Sequence, residues 1–190
     1  MPNRFHHEDL RTELIENALE MIEEEGEDKL SLRKLARKVG VSEAAPYSHF
    51  KNKDDLISNI REYITDKLYA SFEDAYNNAE DEGYGILNIG KAYVKFFLDN
   101  PFYFSFLFDQ ECIKIDLSMK GKDDYKPFMF FRDACYRYYS SEGLPEDKIK
   151  FGIINMWSLV HGIASIASMK NVTTDFDWED NLERILLEKK

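Results

Sequence analysis

Cysteine is scarce in this chain: two residues in 190, Cys112 and Cys135, set far apart with no CxxC pair. That spacing argues against a disulfide framework and against a structural zinc site. The two read as reduced loop or core thiols, with a redox-sensing pair as the rival reading. No uninterrupted apolar run approaches the roughly 20 residues of a membrane span. The opening residues MPNRFHHEDLRTELIENALE hold no apolar leader core and soon turn acidic. A cytoplasmic location without a membrane partner is expected. Catalytic signatures are missing too: no GxSxG, no HExxH and no GxxxxGK[ST]. His6 and His7 lie near the start and join no metal-ligand cluster, so neither an enzyme, a metal nor a cofactor is expected. No internal repeat or low-complexity linker appears.

What the chain does have is a proper complement of core residues, 44% hydrophobic, and an uneven charge. The net charge of −11 would by itself disfavour nucleic acid, because phosphates repel such a surface. Its distribution says otherwise. Lys29, Arg33, Lys34, Arg37, Lys38, Lys51 and Lys53 face a single acid, Glu43, giving residues 29–53 a net charge of +6. Residues 1–28 carry −8 and residues 54–190 carry −9. A basic island in an acidic chain is an electrostatic footprint for DNA; the rival reading is a solvated charge run.

Helical periodicity is nearly continuous and strand signals are weak, so the expected fold is all-α. Leu10, Leu14, Ala18 and Ile22 mark a first helix ending near Gly26. Ser31 is suited to cap a short helix over residues 32–38 stopped by Gly40, and Ser42 to cap a third over residues 43–48. Asn52 can cap a fourth that runs toward residue 80, with Asp54 and Asp55 at its positive end. Further helices are expected over roughly 86–99, 101–109, 124–141, 145–170 and 178–188. The alternating Phe102, Phe104, Phe106 and Phe108 leave a strand open for the second of these. Residues 110–123 read as the longest loop. The expected division is a helix-turn-helix domain over 1–52 and a helical bundle over 53–190.

The stretch SLRKLARKVGVSEAAPYSHFKNKDDLI carries the chemistry. Two short helices flank a tight turn at Val39-Gly40-Val41, with Leu32, Leu35, Ala36, Val39 and Val41 able to pack inward. This is the helix-turn-helix plan, whose second helix enters the major groove. Ser31 and Ser42, at helix starts, suit phosphate oxygens, although Ser42 could be only a cap. Arg33 can read guanine bidentately, Glu43 can accept from a cytosine amine, and Ala44 and Ala45 can meet thymine methyls. Tyr47 can reach a phosphate or a thymine methyl, His49 a phosphate, and Lys53 offers a point charge. Tyr47 reads equally as core filler, and Phe50 chiefly so. Lys34, Arg37 and Lys38 read as steering charges.

Through this stretch and the helix before it, about the first 60 residues, the sequence resembles the TetR family of bacterial regulators. A weaker likeness, Trp157-Ser-Leu-Val-His161-Gly162, is similar to the Trp…His-Gly signature of one C-terminal subclass of that family. Pro46 stands where leucine is common, a form that also occurs in the family. The resemblance implies a homodimer on palindromic double-stranded operator DNA, repressing until a small apolar or aromatic effector binds. The alternative is a helix-turn-helix protein without effector control, a constitutive binder or adaptor.

Residues 84–139 hold sixteen aromatics. Most can be ordinary core, but the resemblance implies a small-molecule site here, with Phe97, Phe104, Phe108, Met129 and Trp157 as wall residues. His161, one turn after Trp157, is either a hydrogen-bonded core residue or a ligand contact. The 145–170 helix is apolar on two faces. Met156, Leu159, Ile163 and Ile166 on it, with Leu182, Ile185 and Leu186 on the last helix, are the expected dimer interface, built as an intersubunit four-helix bundle. An intramolecular pair is the rival.

Overall fold

The computed structural model describes residues 7–108, 113–120 and 125–188; Cys112 and both ends of the expected 110–123 loop lie outside them. Every regular element among the described residues is helical. In chain order they are α1 (His7–Glu25), a 3-10 turn (Glu27–Lys29), α2 (Leu32–Val39), a second 3-10 turn (Ala45–Ser48), α3 (Lys53–Asn77), α4 (Glu82–Asp99), α5 (Pro101–Phe108), α6 (Lys126–Ser141), α7 (Glu146–Ala167) and α8 (Trp178–Leu187). The phenylalanine-rich segment is therefore helix α5, buried on more than one side.

The chain divides into two compact units, residues 1–64 and 65–190. This moves the expected boundary from 52/53 into α3. The reason lies in the first turns of α3, where Leu56, Ile57, Ile60 and Ile64 are buried. Arg11 of α1 also donates to Asn59, and Tyr63 donates to Glu16.

In the first unit, α1 buries Leu14, Ile15, Ala18, Leu19 and Ile22, a stripe repeating every three to four residues. It stops at Gly26, whose φ of 89° suits a residue without Cβ. Ser31 caps α2 by accepting from the Lys34 amide at 3.2 Å, satisfying a donor the helix cannot. Gly40, left-handed at φ 79°, ends it, and the Val41 amide returns to the Ala36 carbonyl at 2.9 Å. Leu32, Leu35 and Ala36 are buried against this core. Asn52 caps α3 by accepting from the Asp55 amide at 2.8 Å, while Asp55 accepts from the Lys51 amide at 2.8 Å.

In the second unit, α4 packs along α7, with α6 and α8 completing the layer around it. Tyr93, Val94 and Phe97 of α4 meet Ile153, Trp157 and Val160 of α7 in the core. Glycine is required at position 85, where a Cβ would stand 2.6 Å from the Tyr76 ring. Asp81 caps α4 by accepting from the Tyr84 amide at 2.8 Å, so the helix starts four residues before the expected position. Helix α7, 22 residues long, is apolar enough to cross a membrane by length and composition. Ile149, Ile153, Trp157, Val160, Ile163 and Ala164 form its buried face.

Candidate nucleic-acid interface and aromatic core

The recognition segment differs from expectation. Instead of an α-helix over 43–48 capped by Ser42, residues Ala45–Ser48 form a 3-10 turn, with Ala44 at the capping position and no side-chain cap. The Ala45, Tyr47 and His49 amides bond to the Ser42, Ala44 and Pro46 carbonyls, each three residues back. Pro46 in the first turn has no N–H to give, which removes one bond of the wider α-helical pattern. Pro46 is itself buried, and Phe50 is 1% exposed; both anchor the turn. Tyr47, by contrast, is 52% exposed, so its ring is not core filler. Ser42, Glu43 and Ala44 are exposed; Ala45, His49 and Lys53 are half-buried.

Charge in this unit is less free than the sequence suggests. Lys34 pairs with Glu25 at 3.5 Å, and Lys38 with Glu20 at 3.0 Å and Glu24 at 4.0 Å, all on α1. Arg37 donates twice to Glu43 Oε1, from Nη2 at 2.7 Å and Nε at 3.2 Å. Arg33 Nε lies 3.9 Å from Glu43 Oε2. The Arg37 hydrogen bond and charge hold the Glu43 carboxyl below the usual carboxylate range, with Arg33 adding a smaller pull. Glu43 thus faces two guanidiniums of its own chain. Among the described residues, Lys29, Lys51 and Lys53 of the basic island make no ion pair. The acidic partners on α1 escaped the sequence reading; their i, i+4 row Glu20–Glu24, next to Glu25, was the available signal.

The second unit gathers five of the six residues expected at a ligand wall. The Phe97 ring meets Phe104 at 5.2 Å and Phe108 at 6.0 Å between centroids. His161 lies 5.0 Å from Phe104 and 4.7 Å from Phe108. Trp157 joins through Tyr93 at 5.1 Å. Met129 stands elsewhere, in a groove between α3 and α6 with Tyr69, Phe130 and Arg137. At the centre is a residue the sequence reading missed, Tyr93, whose hydroxyl hydrogen-bonds His161 Nδ1 at 2.7 Å. It precedes Phe97 by one helical turn, which was its only local mark. Burial pushes the Tyr93 phenol well up and the His161 imidazole down, so both stay neutral at pH 7. The rings of this group contact one another edge to face, with Phe108 and His161 half-buried.

A separate apolar groove of about 170 Å³ runs beside α7, lined by Ile86, Gly90, Phe131, Met156, Leu159 and Leu186 among others. Three of these, Met156, Leu159 and Leu186, were expected at a dimer interface. Leu159 is 44% exposed, and Ile166, about two turns further on, is exposed as well, while Ile185 is half-buried. Ile163 and Leu182, also expected there, are buried within their own chain. At 100° per residue, Ile163 returns to the inner side set by Ile149 and Val160.

Comparison with known proteins agrees with this architecture. Residues 14–60 match "Bacterial regulatory proteins, tetR family", and residues 86–188 match "Tetracyclin repressor-like, C-terminal domain". The nucleoid occlusion factor SlmA of Vibrio cholerae is 35% identical over 72 residues, 37% of each chain. Its counterpart from Aliivibrio fischeri is 37% identical over 70 residues, 36% of this chain and 33% of that one. The chain thus spans about a third of the length of these relatives. A Rhodococcus protein of unknown function superposes with TM-score 0.72 at 23% identity, covering 97% of this chain and 93% of that one. A TetR/AcrR-family transcriptional regulator from Thermobifida fusca gives TM-score 0.68 at 18% identity over 94% of each chain. These two likenesses bear on the fold. With its C-terminal match alone spanning more than half of its length, the chain belongs to the TetR family of bacterial regulatory proteins.

Proposed function

We propose that this regulator is a homodimeric repressor that holds a palindromic operator and lets go when a small apolar or aromatic effector enters its second unit. The observation that carries the DNA half is the recognition turn, which keeps Pro46 and Phe50 inside and presents Tyr47 outward. Ser31, Tyr47, His49 and Lys53 serve as phosphate contacts, Arg33 as a base reader, and Ala44 and Ala45 as thymine contacts. Ser42 and Glu43 complete the surface. Dimerisation uses the outward side of α7, with Met156, Leu159 and Ile166, together with Ile185 and Leu186 of α8. The partner copy completes the paired half-sites one DNA turn apart.

Effector binding rests on the nest of Phe97, Phe104, Phe108, Trp157 and His161. Because its rings pack edge to face, an effector entering among them displaces side chains, and that displacement is the route by which α3 would be shifted. Near-complete release needs about 5.5 kcal/mol of differential affinity between the two states. The protein works in the cytoplasm without membrane, metal, cofactor or enzymatic step. The close ring packing of the nest favours a second reading, a constitutive DNA binder or adaptor without effector control.

The test is fluorescence anisotropy on duplexes selected from random sequence, at 50 and 200 mM salt, for wild type and Lys53→Ala. Operator binding should weaken steeply with salt, and the variant should bind all sequences less tightly with a slope shallower by about 1. Absence of duplex binding at low salt overturns the proposal. Release by an apolar or aromatic compound separates the two readings.

A further inference from the structure

We infer that Glu43 is a specificity-determining positioning residue: it holds the guanidiniums of Arg37 and Arg33 so that they do not grip DNA phosphates indiscriminately. The inference rests on the DNA-binding reading above and adds to it what the single acid of the basic island does.

Glu43 stands just before the recognition turn, and the left-handed Gly40 reverses the chain so that its carboxylate returns over α2. There it takes two N–H donors of Arg37 on one oxygen and faces Arg33 with the other. Arg33 and Arg37 are one helical turn apart, so without the carboxylate two like charges would repel across i, i+4. All three side chains are at least half exposed. Exposed pairs of this kind contribute little to folding. Stability is therefore a poor reason for the only acid in this segment, and control of the arginines is a better one.

The consequence follows from how DNA attracts cations. Each phosphate neutralised adds about 0.9 to the salt slope, so a fourfold rise in salt costs about 3.5-fold in affinity per contact. That attraction is the same on every sequence. An arginine whose Nε and Nη2 already donate to Glu43, and whose charge that carboxylate offsets, has fewer donors and a weaker net attraction to offer a phosphate. The acid thereby lowers binding to bulk DNA and leaves the operator to be chosen by the groove contacts.

The experiment compares wild type, Glu43→Gln, Arg37→Ala and the double variant Arg37→Ala/Glu43→Gln on a selected operator and on a random duplex, across 50–200 mM salt. Glutamine keeps the size of the side chain and removes its charge; circular dichroism checks that each variant is folded. Expected for Glu43→Gln are random-duplex binding tighter by about 10-fold at low salt, a slope steeper by about 1 to 2 and a smaller operator-to-random ratio. In the Arg37→Ala background the same change should have a much smaller effect, which identifies Arg37 as the group through which Glu43 acts. Two results overturn the inference while leaving DNA binding intact. One is unchanged random-duplex affinity with relaxed preference at a single base pair, the mark of direct base contact. The other is no change on either duplex. If wild type itself binds neither duplex, both the inference and the reading beneath it fall.

Discussion

Replacing Tyr93 by phenylalanine tests the polar centre of the aromatic core. The change keeps the ring packed on Phe97 and Trp157 at about 5.1 Å and removes the hydroxyl that bonds His161 Nδ1 at 2.7 Å. A net hydrogen bond contributes about 1 kcal/mol, and leaving a buried polar atom without its partner costs about 1–3 kcal/mol. His161 is half-buried, so water relieves part of that, and the expected loss is about 1–2 kcal/mol. For a chain of 190 residues this is a fall of about 2–8 °C in Tm. Urea unfolding followed by tryptophan fluorescence reads it directly, since Trp157 contacts Tyr93. The double variant Tyr93→Phe/His161→Phe leaves no polar atom stranded and should lose less than the two single losses added together. A Tyr93→Phe loss below about 0.5 kcal/mol, or strictly additive losses, would refute the claim that the pair is a coupled polar unit.

His161 also sets a pH dependence. Burial depresses its folded pKa below the ordinary value, so its contribution is fully present above about pH 6.5 and is lost as pH falls through the depressed value. Thermal unfolding between pH 7.5 and 5 should show that decline, and His161→Phe should flatten it. Leu159→Glu places a charge on the outward side of α7 and should turn the dimer into monomer in light scattering, with secondary structure retained; a variant that stays dimeric moves the interface elsewhere. Ser31→Ala removes the α2 cap and should cost about 1 kcal/mol, read as a lower urea midpoint of the first unit.

Sequence alone was enough for whatever depends on neighbours along the chain. Periodicity and cap signals placed most of the helices to within a few positions, the recognition turn and the open choice at Phe102–Phe108 apart, and Ser31, Gly40 and Asn52 marked starts and stops because caps are made by residues three or four apart. The helix-turn-helix was legible for the same reason. Phe97, Phe104, Phe108, Trp157 and His161, singled out through the family resemblance, lie together in one aromatic group.

Tertiary structure decided the rest, since each remaining point turns on distance in space. The bond from Tyr93 to His161 spans 68 positions, and nothing local in either segment announces it. The apparent surplus of positive charge is partly cancelled because α1 brings Glu20, Glu24 and Glu25 to Lys34 and Lys38. Reversal at Gly40 sets Glu43 on the arginines of the preceding helix. Periodicity found two apolar sides on α7, but only packing against α4 and α6 decided that Ile163 belongs inside and Leu159 outside. Backbone hydrogen bonds are short-ranged and leave their pattern in the sequence; the pairing of side chains follows from how the helices pack.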